Sequence, residues 1–299
     1  MKLEEKDYLV GLAAFNGIGP KRLGQLQEYF GLAKKIWQVS VKSLMAAGLG
    51  QRLTVRFDNY RKKTSIISLK LWLENNLIKV ITIDEENYPK LLKEISNPPF
   101  LIFVKSAISF EKEWNNYKTI AVVGSRRATA YGQQATQKLT AALVERGWVI
   151  VSGLARGVDR IAHQAALDGK GKTIAVLGHG LDKIYPPEHH WLAKQISQHG
   201  ALVSEMPPFS AITKGNFVIR NRIVAGLSQG VLVTEGAGRS GTKITTRYAA
   251  DFGREVFAVP GSINNPMSQA PADLIKLGAK LVTNVEDIIE EFSPSTLDK

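Results

Sequence analysis

The chain has 299 residues, 44% of them hydrophobic, which is enough to bury a sizeable core in one large domain with smaller additions. Its apolar runs are short and bounded by charge, far from the ~18 residues of a membrane span; there is no cysteine for disulfides or thiolate metal sites, and the opening KLEEKD at 2–7 has no signal-peptide pattern, so a cytosolic protein is expected. The net charge of +12 is spread over both halves, with a cluster in 214–254 of seven basic side chains against two acidic ones, a balance that suits a nucleic-acid surface and equally a generally basic, solvated one.

Residues 8–31 (YLVGLAAFNGIGPKRLGQLQEYFG) predict a helix, a Gly-Ile-Gly-Pro turn and a second helix with Leu23, Leu26 and Phe30 on one face. Gly17 and Gly19 give the turn its backbone freedom, and Pro20 suits the first helical position. The pair resembles a helix-hairpin-helix, a shape that contacts DNA phosphates in some modules and serves only packing in others. Further short helices over 32–63 complete a small all-α domain, helix-hairpin-helix or SAM-like, that closes at Arg61-Lys62-Lys63. Residues 64–117 read as a connector that docks on the larger domain downstream: a helix over 66–76, a strand over 78–83, a rigid Pro98-Pro99 turn and a strand over 100–105.

From residue 118 the pattern alternates regularly. Strands are predicted at 119–123, 148–152, 173–177, 201–204, 230–234 and 255–258, with helices near 131–146, 157–168, 188–198, 219–227 and 241–252. Near-continuous apolar strands between helices indicate a mostly parallel sheet covered on both faces, a doubly wound, Rossmann-like α/β domain over 118–292. An acidic helix at 285–292, read as a solvated face, precedes a tail at 293–299.

In such sheets ligands bind beyond the carboxyl ends of the strands. The first of these loops is Gly124-Ser125-Arg126-Arg127, without the G-x-G-x-x-G and downstream acid of a nicotinamide site; a Walker A loop is absent too, so no cofactor is expected. The second, 152–163, contributes Arg156. The fifth, Gly236-Ala237-Gly238-Arg239-Ser240-Gly241-Thr242, is a phosphate-cradling sequence ahead of a helix. It resembles the P-G-G-x-G-T loop of the lysine-decarboxylase-like phosphoribohydrolases, whose glutamate soon after the threonine is replaced here by Lys243-Ile244-Thr245-Thr246-Arg247. A nucleotide-acting enzyme is therefore the alternative function. The five histidines lack metal-ligand spacing, since His189 and His190 would point about 100° apart on a helix. Ser125, Ser152 and Ser240 lack a nucleophile elbow and suit phosphate hydrogen bonding better. Finally, Lys214 and Phe217, followed by Arg220, Asn221 and Arg222 at a helix start, combine cations with an aromatic platform, as single strands require. Phe217 could instead fill the core beside Val218 and Ile219.

Taken in order, AVVGSR (121–126), VSGLARGVD (151–159), TIAVLGHGLDKIYP (173–186), SEMPP (204–208), FVIRNRIVAGLS (217–228), LVTEGAGRSGTKIT (232–245) and GREVFAVPGSI (253–263) are similar to the DNA-processing protein A (DprA/Smf) family. The resemblance covers about 118–285 and reaches upstream to Tyr88-Pro89 and Pro98-Pro99. It implies a bacterial cytosolic homodimer that binds single-stranded DNA and hands it to the RecA recombinase in natural transformation, using the Rossmann-like fold as a platform and not as an enzyme. Carried over by position, it marks Gly124, Ser125 and Arg126, then Lys214, Phe217, Arg220, Asn221 and Arg222, and then Gly238, Arg239, Ser240 and Gly241; Arg127, Arg156 and Lys243 extend the basic set. The chain departs from the family pattern at Val218, where proline is usual, at Lys243, and at Ala270-Pro271-Ala272, where G-x-N is usual. The expected site is a groove at the carboxyl edge of the sheet, with phosphates on Ser125, Arg126 and the 236–242 loop and a base on Phe217. For the dimer, LIKLGAKLV at 274–282 is apolar enough for a strand-edge contact, and ordinary core packing explains it equally well.

Overall fold

The computed structural model describes residues 2–238 and 240–293. Six helices open the chain: α1 (Glu5–Ala13), α2 (Pro20–Phe30), α3 (Ala33–Gln38), α4 (Val41–Ala46), α5 (Gln51–Lys63) and α6 (Ile66–Asn75). Pro20 does stand at the start of α2, behind an extended Gly19. Gly17 takes φ 149°, and any Cβ there would fall 2.6 Å from Leu53 of α5, so the hairpin is pressed onto that helix. Phe15, Trp37, Phe57 and Tyr60 meet largely edge-on around it. Arg61 ties the bundle together by pairing with Asp58 and donating to the carbonyls of Trp37 and Val39.

The rest of the chain builds one nine-stranded sheet. Its elements are β1 (Lys79–Thr82), α7 (Lys90–Lys93), β2 (Leu101–Lys105), β3 (Thr119–Val123), α8 (Ala130–Glu145), β4 (Val149–Ser152), α9 (Val158–Asp168), β5 (Thr173–Leu177), α10 (His190–His199), β6 (Ala201–Ser204), α11 (Lys214–Gly226), β7 (Gly230–Val233), α12 (Thr242–Asp251), β8 (Glu255–Ala258), α13 (Gln269–Lys276), β9 (Lys280–Leu281) and α14 (Glu286–Ile289). The strand order is β1-β2-β6-β5-β4-β3-β7-β8-β9, parallel from β6 to β9, with β1 and β2 added antiparallel. The segment read as a connector thus supplies two strands to the sheet, while α6 packs against α1.

Every residue of β3 is buried, and alternation decides which helices it meets. Ile120 and Val122 share a core with Leu139 and Leu143 of α8 and Val158 and Ala162 of α9, whereas Ala121 and Val123 join Ile223 and Val224 of α11 and Ala249 of α12. The helical domain's core runs into the sheet as well, through Leu177, Leu192, Ile196 and Leu202. Among the described residues no helix is long and apolar enough to cross a membrane.

Helices α7 and α13 and the short β9 were not foreseen, and two foreseen elements differ from the sequence reading. Helix α11 starts at Lys214 and not near 219, because the Thr213 side chain caps it by accepting from the Asn216 N–H at 3.2 Å. The acidic stretch at 285–292 is not merely a solvated face: Val285 and Ile288 are buried in the core shared with α8, and Phe292 packs against Trp148 and Phe257.

His163, on α9, is wholly buried. Its Nδ1 lies 2.7 Å from Thr173 Oγ1, and that hydroxyl donates to the Ile150 carbonyl, which leaves Nδ1 as the donor to Oγ1. Burial, aided by the Arg220 charge, pushes its pKa down to about 3. Between that value and the unfolded ~6.5 the unfolded chain binds the extra proton, so stability falls as pH drops through this window. Urea denaturation at pH 7.5 and 5.5 should show wild type losing about 1 kcal/mol more than His163→Gln over that interval.

Candidate nucleic-acid interface

From β3 the chain steps outward through β4, β5 and β6, then returns to place β7 on the other side of β3. The loops leaving β3 and β7 therefore diverge, opening a crevice at the switch point. A cavity of about 480 Å³ occupies it, lined by Gly124, Ser125, Arg126 and Arg127 after β3, by Ser240, Gly241 and Thr242 after β7, and by Arg220 and Asn221 of α11.

The first loop is fixed by its backbone. Ser125 N donates to the Glu235 carbonyl at 2.8 Å, and Val158 N, in the first turn of α9, donates to the Ser125 carbonyl at 3.1 Å. Glycine is required at two neighbouring points. A Cβ on Gly124 would sit 2.6 Å from a Val158 methyl and 2.7 Å from the Glu235 carbonyl oxygen; one on Gly157, at φ 72°, would sit 2.1 Å from the Ser125 oxygen. The Ser125 hydroxyl closes the turn, accepting from Arg127 N at 3.0 Å. With the backbone so held, Arg126 and Arg127 project into solvent, and among the described residues neither has a carboxylate within 4 Å.

The second loop ends at the N-terminus of α12, with Gly241 as the residue before the helix. The first amides of a helix lack partners within it and carry the positive end of its dipole, so this end of the cavity favours an anion. Arg239, expected here, lies outside the described residues. Glu235, just upstream, does not face the crevice. Its buried carboxylate accepts from the Thr129 N–H at 2.8 Å and from the Thr129 hydroxyl, at the start of α8.

Several residues of the expected set are engaged within the protein or stand apart from the cavity. Arg220 is 5% exposed and donates through Nη1 to the carbonyls of Gly153, at 2.5 Å, and Val176, bracing the ends of β4 and β5 from the cavity floor instead of reaching out to a phosphate. Arg222 is equally buried, 2.5 Å from Glu205, and turns away from the crevice; burial pushes the Glu205 carboxyl up against the pull of that guanidinium. Arg156 pairs with Glu188 at 2.5 Å and Lys243 with Asp273 at 2.8 Å, so both charges are partly spent. Gly238 sits against Gln269, where a Cβ would approach to 3.1 Å. Lys214 is exposed in the first turn of α11 and Phe217 half-buried in the same turn, its ring over Gly178, 6.4 Å from His179 and 5.7 Å from Tyr185; it does not line the cavity.

The structure also adds residues that sequence reasoning passed over. Asp159 reaches the cavity, buried, accepting from the N–H groups of Gly153 and Ala155 at 3.2 Å; burial pushes its carboxyl up, opposed by Arg220. Met267 closes one side, 3.5 Å from the Ser125 hydroxyl. Tyr185, 41% exposed, pairs with Phe217; its position in a post-strand loop was the only signal for it.

The chain is thus a Rossmann-like α/β protein with a switch-point cavity that has a helix N-terminus on one side and two exposed arginines on the other, and without a dinucleotide fingerprint. The sequence profile described as DNA recombination-mediator protein A matches residues 79–293. The chain belongs to the DNA-processing protein A family. It is 44% identical over 215 residues to the DNA processing protein DprA of Bacillus subtilis (strain 168), covering 72% of this chain and 71% of that protein. Protein Smf of Synechocystis sp. is 34% identical over 290 residues, 97% of this chain and 73% of its own. Among solved structures, DprA from Streptococcus pneumoniae superposes with a TM-score of 0.80 at 34% identity, covering 98% of this chain and all of that one. DNA processing protein A from Helicobacter pylori, described for its single-stranded DNA binding mode, gives 0.64 at 31% identity over 72% of this chain and 95% of its own.

If the β3 loop is held against α9 as described, Gly157→Ala should destabilise the protein by roughly 1–3 kcal/mol, read as a lowered denaturation midpoint, since strain and a backbone clash coincide there.

Proposed function

We propose that this protein binds single-stranded DNA in the switch-point crevice, protects it, and delivers it to a RecA recombinase, acting in the cytosol as a homodimer. The observation that carries the binding step is the pair of exposed, unpaired cations, Arg126 and Arg127, on a backbone-fixed loop facing the N-terminus of α12 across the cavity. Phosphates are held by Arg126 and by the amides around Ser240-Gly241-Thr242, neither of which reads sequence. Bases stack on the Tyr185–Phe217 pair at the start of α11, beside Lys214. The single-strand binding mode described for the Helicobacter pylori relative supports this reading, and the family's description as a recombination mediator supports delivery to a recombinase.

The nucleotide-hydrolysing alternative needs a free acid at the cavity. Glu235 and Asp159 both spend their carboxylates on backbone N–H groups, which favours a binding platform. The dimer reading rests on the far edge of the sheet, where among the described residues β9 pairs only with β8 and Leu277 and Leu281 are 84% and 45% exposed.

Fluorescence anisotropy with a labelled oligothymidine tests the crevice. Arg126→Ala should weaken binding and flatten the salt dependence by about 0.7 in log–log slope, and Phe217→Ala should cost ~1–3 kcal/mol. Wild-type affinity and slope in both variants would place the strand elsewhere. Release of free base from a nucleoside monophosphate would instead support the enzyme. In sedimentation velocity, Leu277→Asp should convert a dimer to monomer; an unchanged distribution would remove this edge from the interface.

A further inference from the structure

Helix α11 has two working faces. Arg220, Asn221 and Val224 line the switch-point cavity, while Asn216, Ile219 and Arg222 line a second groove of about 700 Å³. The opposite wall of that groove is the hairpin between α1 and α2, from Ala13 to Pro20, with Arg22 beside it. Val218 and Ile219, both more than 40% exposed, form an apolar crest on α11 between the two. Past the hairpin the groove shares Ala14, Phe15 and Asn16 with a recess of about 480 Å³ that also takes in Arg56, Asn59 and Lys63 of α5.

That side of α5 is built for a polyanion. Arg52, Arg56, Asn59 and Lys63 follow at spacings of four, three and four, which places them on one helix face, and all are exposed. The one acid of α5, Asp58, is taken by Arg61 and Lys62 on the other side. Among the described residues Arg22, Arg52, Arg56 and Lys63 have no carboxylate within 4 Å. Two of these charges are held in place: Arg22 donates to the Gly17 carbonyl at 3.0 Å, and Arg56 donates to the Asn16 carbonyl at 3.2 Å with its guanidinium 5.7 Å from the Phe15 ring centroid. A cation with its backbone-facing donors satisfied and its charge uncompensated loses little further freedom on meeting a phosphate.

We propose that the helical domain is a second single-stranded DNA site in series with the first: a strand seated in the switch-point cavity crosses the Val218–Ile219 crest, enters the interdomain groove, and continues along the Arg52–Arg56–Lys63 face of α5. This rests on the reading of the switch-point cavity as a single-strand site. It makes the contact length of one protomer depend on the helical domain, with bases over the apolar crest and phosphates on the cationic face.

The test is an anisotropy titration of the full chain with oligothymidines of about 6 and about 20 nucleotides, short enough for one cavity and long enough for both. Arg52→Glu/Arg56→Glu/Lys63→Glu changes only exposed side chains, and its fold is checked by far-UV circular dichroism and melting. The triple variant should bind the short oligomer as wild type does and the long one about tenfold more weakly, with a salt slope shallower by about 2. Wild-type affinity and slope for the long oligomer would overturn the proposal and leave the α5 face to an acidic protein partner. Arg126→Ala separates the two readings: it acts on both lengths if the switch-point cavity is the primary site. Loss confined to the long oligomer in the α5 variant, with no effect of Arg126→Ala at either length, would overturn the serial track by removing its starting point.

Discussion

Two backbone hydrogen bonds govern the site: Ser125 N to the Glu235 carbonyl and Val158 N to the Ser125 carbonyl. The first bridges the diverging ends of β3 and β7, the second seats the same residue on the start of α9. Held at both ends in a close backbone crossing, the loop presents Arg126 and Arg127 to solvent. Glycine at 124 and 157 is a consequence of this closeness, because side chains there would collide with the backbone that makes the bonds. The glycine that opens the β3 loop is thus a packing requirement and not a remnant of a cofactor fingerprint.

Charge is divided by depth. Buried ions cost several kcal/mol each unless they are paired or hydrogen-bonded, and here backbone supplies much of that: Arg220 Nη1 donates to the Gly153 and Val176 carbonyls while its Nε stays without a partner, Asp159 accepts from two amides, and Glu235 accepts from the start of α8. These groups set the shape of the crevice. Among the described residues the exposed Arg126, Arg127 and Lys214 have no carboxylate within 4 Å, and screening by water makes such charge cheap to keep.

Much of this was legible in the sequence. Strands β3 to β8 lie within a residue or so of where apolar runs placed them, because a buried strand leaves a continuous apolar signature, whereas the two-residue β9 left none. The start of α11 was missed, since Lys214-Gly215-Asn216 has poor helix propensity and the cap from Thr213 outweighs it. Within the Arg220-Asn221-Arg222 run, three polar residues look alike in sequence, yet the helical period sends Arg220 and Asn221 to the cavity and Arg222 to Glu205 on another side. Which arginine is buried as a strut depends on partners distant in sequence, Gly153 and Val176 for Arg220, and no local pattern encodes those. The connector's two strands were foreseen, but the antiparallel addition of β2 to β6, which brings β1 with it, depends on a pairing of residues some 100 apart.

The central claim is that the switch-point crevice holds the phosphates of a single strand. A crystal structure of the protein with a short oligothymidine tests it most directly. A phosphate about 3 Å from the Arg126 guanidinium and from the first amides of α12 is the predicted result. A strand bound on another surface, with the crevice between the β3 and β7 loops empty, would contradict it.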